Sequence, residues 1–280
     1  MTGRLLEYEF WKNHNAYYVG FFMDALAKKD RLEKRKYFAK EILETPTRPI
    51  RWLDVGTGDG SKILDTINFI KERERGAIIE LITIEPSEYI IAELKEKLSK
   101  VDGVSLKVIN EKFALEKLKP NTFDCITFFH VAYYLADEET GFEKLYLRAY
   151  ESLKLDGILL VQAVNESGDF QALGHPSYSI WAQGDHTFDL LKRISPKTHR
   201  ENFPTHFDVT DFLTQKNSTP EFDDKLLNLF RFTTQVDSAV LTKEGGEKYI
   251  SHMRELAKQN GNTFYLDFSD VVVSLHKSNK

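Results

Sequence analysis

The chain has 280 residues, of which 41% are hydrophobic, and carries a formal net charge of -5. This length is enough to bury one large core, so one domain with attached segments is expected rather than two equal domains. The acidic balance argues against a general nucleic-acid binder, which would present a basic face. The single cysteine, Cys125, excludes an internal disulfide, and no cysteine and histidine cluster predicts a metal site.

The start of the chain lacks the basic-then-apolar pattern of a signal peptide. No apolar run approaches the roughly 18 residues that a membrane span needs. A cytoplasmic protein with no membrane partner is therefore expected.

The predicted elements begin with a helical segment, residues 1–48, which is expected to cover the substrate. Strand and helix patterns then alternate as a parallel α/β sheet requires. The predicted strands are 51–55, 78–84, 105–109, 125–129 and 158–164, and the helices between them are 60–73, 87–100 and 140–153. Weaker patterns follow: helices at 185–193, 221–235 and 245–259, a sixth strand at 199–207 and a closing strand at 263–275. Residues 49–280 are thus predicted to form one doubly wound, mostly parallel α/β domain, with insertions in 165–262 forming a substrate lid.

The first predicted strand runs into three closely spaced glycines, Gly56, Gly58 and Gly60. Glycine has no Cβ atom, so a ligand can approach the backbone, and it tolerates the positive φ of a tight strand-to-helix turn. An acidic residue, Glu85, ends the next strand, where its carboxylate can accept hydrogen bonds from both hydroxyl groups of a ribose. Together these features predict an adenosine site, whereas a glycine-rich turn without a ligand is the alternative.

The spacing of the glycines separates two classes of cofactor. Dinucleotide sites use G-x-G-x-x-G, in which the third glycine lets a helix N-terminus face the pyrophosphate. Here the spacing is G-x-G-x-G, and Ser61 stands where the dinucleotide pattern has its third glycine. This loop, with Asp54 shortly before it, resembles that of class I S-adenosylmethionine-dependent methyltransferases.

A second stretch, Phe128-Phe-His-Val-Ala-Tyr-Tyr-Leu-Ala-Asp137, resembles the histamine N-methyltransferase family, as does Ile84-Glu-Pro-Ser87. Weaker similarity covers most of the chain. The resemblance implies a Rossmann-like methyltransferase fold with a seven-stranded sheet. It also implies that S-adenosyl-L-methionine is the cofactor and that a small molecule accepts the methyl group, at an amine or imidazole nitrogen.

The resemblance also implies roles for individual residues. The glycine loop would line the methionine part of the cofactor, Glu85 its ribose, and two residues after the third strand its adenine, with the Phe129 backbone beneath the sulfonium. The implied cofactor-binding residues are Asp54, Gly56, Thr57, Gly58, Gly60, Glu85, Pro86, Glu111, Phe113 and Phe129. The implied substrate-binding residues are Tyr18, Phe22, His130, Tyr133, Tyr134, Phe170, Trp181 and Asp267.

His130 is the candidate catalytic residue, and it stands where the histamine enzymes carry a glutamine. An imidazole with an ordinary pKa of about 6.5 can accept the proton of the acceptor or orient the acceptor by hydrogen bonding. Two alternatives stay open: an O-methyltransferase that uses His130 as general base, and a cofactor-binding module without catalysis. Methylation of DNA or of an amide side chain is disfavoured, because no Asn-Pro-Pro-Tyr-type motif is present.

Overall fold

The helices and strands follow the order that the sequence predicts for the first two thirds of the chain. The computed structural model describes residues 28–46, 48–136, 141–166, 168–173, 184–214, 226, 229, 243–267 and 269–278. Its helices are α1 Lys28–Leu43, α2 Ser61–Arg73, α3 Glu88–Leu98, α4 Ala132–Leu135, α5 Gly141–Ser152, α6 Asp169–Leu173, α7 Gly184–Ile194, α8 Thr210–Thr214 and α9 Lys243–Leu256, with a 3-10 turn at Leu115–Lys117. Its strands are β1 Ile50–Val55, β2 Ile79–Ile84, β3 Val104–Ile109, β4 Phe123–Phe129, β5 Leu153–Val164, β6 Thr198–Phe203, β7 His206–Asp208, β8 Lys258–Asn260, β9 Thr263–Asp267 and β10 Asp270–His276.

The main sheet has seven strands in the order β3-β2-β1-β4-β5-β10-β6. The first five of these lie parallel, and β10 runs antiparallel to both of its neighbours. Strands covered on both faces read as continuous apolar runs, and every residue of β4 is accordingly buried. The predicted doubly wound, mostly parallel seven-stranded sheet is therefore confirmed.

Apolar side chains of β1 alternate between two cores, one on each face of the sheet. Trp52 joins the core beneath α1 and α2, whereas Leu53 and Val55 join the core beneath α5 and α7. The free thiol of Cys125 lies fully buried in the first of these cores, as the sequence predicts. Within the described part of the chain, no helix is both long enough and apolar enough to cross a membrane.

A second sheet, β7-β9-β8, corrects three predictions for the last third of the chain. The predicted strand 199–207 divides between β6 in the main sheet and β7 in the small one, and the predicted strand 263–275 divides between β9 and β10. The predicted helix 245–259 ends at Leu256, and β8 follows. A continuous extended pattern does not encode which sheet a segment joins, because pairing partners are chosen by tertiary contacts.

Candidate active site

The loop between β1 and α2 has a left-handed backbone at each of its three glycines. The φ angles are 70° at Gly56, 62° at Gly58 and 78° at Gly60. An added Cβ at Gly56 would overlap the side chain of Val131, and one at Gly60 would lie 2.7 Å from Leu94 Cδ1. At Gly58 the same Cβ would meet no atom of the described residues within 4 Å. Two of the glycines therefore permit close packing, and the middle one borders open space.

The carboxylate of Glu85 joins the end of β2 to this loop. Its Oε2 accepts a hydrogen bond from the Gly58 N–H at 2.9 Å, and its Oε1 accepts one from the Ser87 N–H at 2.9 Å. The side-chain amide of Asn110 donates to the carbonyls of Glu85 and Pro86 and so holds the same turn from β3. Burial raises the pKa of Glu85, and the two backbone hydrogen bonds offset part of that rise. A carboxylate has about four lone-pair sites, so two remain for a ligand.

Asp54 lies one residue before the end of β1 and is almost fully buried. The Thr127 hydroxyl donates to its Oδ1 at 2.5 Å and accepts a hydrogen bond from the Trp52 indole N–H at 2.8 Å. The Thr57 hydroxyl lies 3.4 Å from the Asp54 carbonyl. Burial raises the pKa of Asp54 to about 6, although the hydroxyl hydrogen bonds lower it. The carboxyl group thus titrates close to physiological pH.

The two residues predicted beside the adenine differ in their surroundings. Glu111 follows β3, is exposed, and pairs with Lys117 at 2.5 Å. Phe113 is half-buried and packs edge-on against Phe128, with 6.2 Å between the ring centroids. Phe113 therefore offers a ring at the carboxyl edge of the sheet, whereas the Glu111 carboxylate already has a basic partner.

Phe129, the last residue of β4, turns its ring away from that edge. The ring stacks on Phe38 of α1, with 4.3 Å between centroids and 20° between the planes. The Arg35 guanidinium lies 5.7 Å from the centroid of the same ring. Only the backbone of Phe129 is thus left to border a ligand.

His130 follows β4 with a φ of 58°, a backbone conformation that is unusual for a residue with a side chain. Its N–H donates to the Gln162 carbonyl at 3.0 Å. Its Nε2 lies 2.7 Å from Gln162 Nε2 and 3.2 Å from Asp270 Oδ1. Asp270 in turn forms a buried ion pair with Lys34 of α1. Strained backbone that persists in a fold is concentrated at functional sites, and here it places an imidazole at the carboxyl end of a central strand.

The charge state of His130 follows from these neighbours. Burial lowers the pKa of the imidazole, and the positive charges of Lys62 and Lys34 lower it further. The carboxylate of Asp270 opposes them but does not cancel their effect. The ring is consequently neutral at pH 7 and can accept a proton.

Comparison with known proteins identifies the family of the chain. A model of the methyltransferase domain family matches residues 27–207, well over half of the chain. The chain belongs to the methyltransferase domain family. It is thus an enzyme that transfers methyl groups, with S-adenosyl-L-methionine as its cofactor.

Several solved structures are similar to this methyltransferase at low sequence identity. The plantazolicin methyltransferase BpumL is 14% identical with a TM-score of 0.51, and the match covers 98% of this chain and 95% of that one. The YcgJ protein of Bacillus subtilis is 13% identical with a TM-score of 0.49, covering 87% and 98%. A SAM-dependent methyltransferase of Archaeoglobus fulgidus is 16% identical with a TM-score of 0.47, covering 88% and 94%. No curated protein matches the chain.

The residues at the carboxyl edge of the methyltransferase sheet fit this cofactor. The open space at Gly58 admits a ligand against the backbone, and the Glu85 carboxylate has acceptor sites left for ribose hydroxyls. In a G-x-G-x-G loop the third glycine also comes one residue earlier than in the G-x-G-x-x-G pattern of pyrophosphate sites. The fit therefore rests on both the shape of the loop and the chemistry of the acidic residue.

The residues predicted to bind substrate lie in different environments. Tyr133 is buried in the core of the small sheet, and its ring packs on Tyr134 with 4.7 Å between centroids. Asp267 lies on β9 and forms ion pairs with His206, at 3.0 Å, and with Lys258. The structure thus groups the two tyrosines, and it places Asp267 in a separate ion-pair cluster on the small sheet.

Other predicted substrate residues lie outside the described part of the chain. These are Tyr18, Phe22 and Trp181, together with the side chain of Phe170, whose backbone belongs to α6. Their roles stay predictions.

Three members of the network around His130 carry no recognisable motif: Lys34, Gln162 and Asp270. A signal is nevertheless present in the sequence, because Gln162 interrupts the apolar run 158–164 and Asp270 precedes three valines. Polar residues on buried strands are uncommon and need partners. Such interruptions identify members of a buried polar network, but they do not identify which residues pair.

Proposed function

We propose that this methyltransferase acts on a small molecule and methylates an amine or imidazole nitrogen, as members of the histamine N-methyltransferase family do. His130 is the proposed catalytic residue. The observation that carries the proposal is an imidazole with only 12% of its side chain exposed, held in a left-handed backbone conformation directly after β4. In open parallel sheets ligands bind beyond the carboxyl ends of the strands, which is where His130 lies. We expect the enzyme to work in the cytoplasm.

S-adenosylmethionine supplies a methyl group on a positively charged sulfur, which leaves as a neutral thioether when the acceptor's lone pair attacks. A protonated amine has no lone pair, so the acceptor must lose a proton. His130 is placed to take that proton or to hold the nitrogen in line by a hydrogen bond. Glu85 would hold the ribose, and the loop from Gly56 to Gly60 the methionine end.

A second function, methylation of a hydroxyl oxygen, is favoured by one observation. The Asp270 carboxylate lies 3.2 Å from His130 Nε2, and a carboxylate beside an imidazole favours the protonated ring. Such a pair can act as a general base toward a phenol or an alcohol. Mass spectrometry of the products from a panel of amines, imidazoles and phenols decides between nitrogen and oxygen acceptors.

The first experiment is calorimetric binding of S-adenosylmethionine and S-adenosylhomocysteine to the wild type and to Glu85→Ala. The matched control is Glu88→Ala, which removes an exposed carboxylate from the first turn of α3, three residues away. We expect Glu85→Ala to weaken both ligands by a factor of ten or more, because hydrogen bonds to charged groups contribute about 1.5–3 kcal/mol. Glu88→Ala should bind as the wild type does.

Equal affinities of the wild type and Glu85→Ala would remove the assigned role of Glu85. A wild type that binds neither compound would contradict the cofactor site itself. Binding without turnover of any compound in the acceptor panel would instead favour a cofactor-binding module that does not catalyse.

A further inference from the structure

A buried chain of polar side chains lies behind His130. It runs from Lys34 of α1 through Asp270 at the start of β10 to Gln162 of β5, and it ends at His130 Nε2. Lys34 is 1% exposed, Asp270 is 0% exposed and Gln162 is 2% exposed. Burying a charge is costly unless it is paired, and here the charges of Lys34 and Asp270 pair with each other.

The hydrogen-bond donors of Gln162 fix the orientation of its amide. Its Nε2 lies 2.7 Å from Asp270 Oδ2, and an ionised carboxylate only accepts hydrogen bonds, so the amide nitrogen must face Asp270. The Arg35 guanidinium, 3.5 Å from the amide oxygen, supports the same orientation. The second amide hydrogen is then available to His130 Nε2, 2.7 Å away.

The other oxygen of Asp270 lacks a hydrogen bond among the described residues, although it is buried. This oxygen, Oδ1, lies 3.2 Å from His130 Nε2. A proton that joins Nε2 replaces the hydrogen bond from Gln162, because one ring nitrogen cannot both accept a hydrogen bond and carry a proton. The new N–H would give Oδ1 its donor, and the charge of the resulting imidazolium would face a carboxylate. Asp270 Oδ1 would therefore gain a hydrogen bond when His130 Nε2 becomes protonated.

We propose that Asp270 is a positioning residue, which holds His130 and provides the counter-charge when the ring takes a proton from the methyl acceptor. The inference rests on the proposed function of His130. The N–H or O–H bond of the acceptor breaks, its electron pair forms the new bond to the methyl carbon, and the proton joins the imidazole. The pair of the broken sulfur–carbon bond stays on sulfur. The imidazolium later returns its proton to water.

Three charged groups on three elements face His130, and their signs differ. Asp270 of β10 raises the pKa of the imidazole, whereas Lys62 of α2 and Lys34 of α1 lower it. Lys34 also balances the charge of Asp270, through their ion pair. Removing the carboxylate and removing a lysine must therefore move the titration of His130 in opposite directions.

The test is an NMR pH titration of the His130 ring in the full chain, comparing the wild type with Asp270→Asn and Lys62→Met. Asp270→Asn should lower the pKa of His130 by about one unit or more, because a carboxylate at this distance favours the charged ring. Lys62→Met should raise it. The control is Asp208→Asn, which removes an exposed carboxylate from β7 and should leave His130 unmoved.

An unchanged His130 titration in Asp270→Asn would overturn the proposal. If Asp270→Asn does not fold because Lys34 loses its partner, the double variant Lys34→Met/Asp270→Asn removes both charges of the ion pair, and a His130 pKa that is not below the wild-type value overturns the proposal equally. With an identified acceptor, Asp270→Asn should shift the acidic limb of kcat to lower pH, whereas a merely structural role would lower kcat equally at every pH. These titrations need no cofactor, so failure of cofactor binding in calorimetry would count against the proposed function separately.

Discussion

Two glycines of the loop after β1 share a left-handed backbone but differ in what surrounds them. An alanine at either position strains the backbone by about 1–2 kcal/mol. At Gly56 the added carbon also overlaps Val131, whereas at Gly58 it meets nothing within 4 Å in the part of the chain that the structure describes. The same substitution at two positions thus separates the effect of strain from the effect of crowding.

We predict that Gly56→Ala lowers the free energy of unfolding by more than Gly58→Ala does, as measured by urea denaturation. Val131→Ala should restore part of the loss in Gly56→Ala, because it removes the overlapping side chain. Gly58→Ala should instead act mainly on cofactor affinity, since its Cβ enters the open space of the loop. Equal losses of stability at the two positions would contradict this division.

The buried carboxyl of Asp54 makes stability depend on pH. Burial raises its pKa from 3.8 to about 6, so between these values the folded chain holds a proton that the unfolded chain has lost. Stability from this group is therefore present at pH 4 and is lost as the pH rises through 6, by up to about 3 kcal/mol.

Asp54→Asn removes this titration. Without cofactor, the free energy of unfolding of the variant should rise relative to that of the wild type as the pH increases from 4 to 7, because only the wild type loses stability over this range. Urea denaturation at several pH values measures it, and Asp102→Asn, which removes an exposed carboxylate from the turn before β3, is the matched control. A difference between Asp54→Asn and wild type that stays constant with pH would show that the carboxyl group is not desolvated as described.

At the scale of elements, α1 supports the site from beneath. Its Phe38, Ala39 and Ile42 are fully buried in the core under the sheet, and Phe38 stacks on Phe129 directly before the catalytic candidate. The same helix carries Lys34 and so touches the polar network. A change in the packing of α1 therefore alters the contacts of Phe129 at the end of β4.

Phe38→Ala should lower the free energy of unfolding by about 3–5 kcal/mol, the usual cost of emptying a buried aromatic site. Lys40→Ala, on the same helix with an exposed side chain, should change it by no more than about 0.5 kcal/mol. Thermal or urea denaturation of the two variants measures the difference. A small effect of Phe38→Ala would mean that α1 is not part of the cooperative core.

Across the whole molecule, the sequence predicts best where structure is local. Apolar runs and turn residues locate β1 to β4 to within two residues, because a parallel strand is recognisable from its own composition. The predicted end of β5 is also correct, whereas the strand begins at Leu153 and not at residue 158. The glycine loop and Glu85 are adjacent in the fold for the same reason, since each directly follows a predicted strand.

The remaining features depend on contacts between distant parts of the chain. Nothing near residues 263–275 indicates that one extended pattern serves two sheets. The hydrogen bond between Lys34 and Asp270 joins residues 236 positions apart, and that between Gln162 and Asp270 joins residues 108 apart. Such pairs are selected by the finished sheet, so local patterns mark the polar residues without revealing their partners.

The position of β10 between β5 and β6 also sets an order of events during synthesis. Strands β1 to β5 and the glycine loop leave the ribosome before β10, and a domain generally folds as a unit. Asp270 is made much later, on the last strand of the main sheet to be translated. In a nascent chain without β10, His130 therefore lacks its carboxylate partner, and the buried polar network is completed only when β10 enters the sheet.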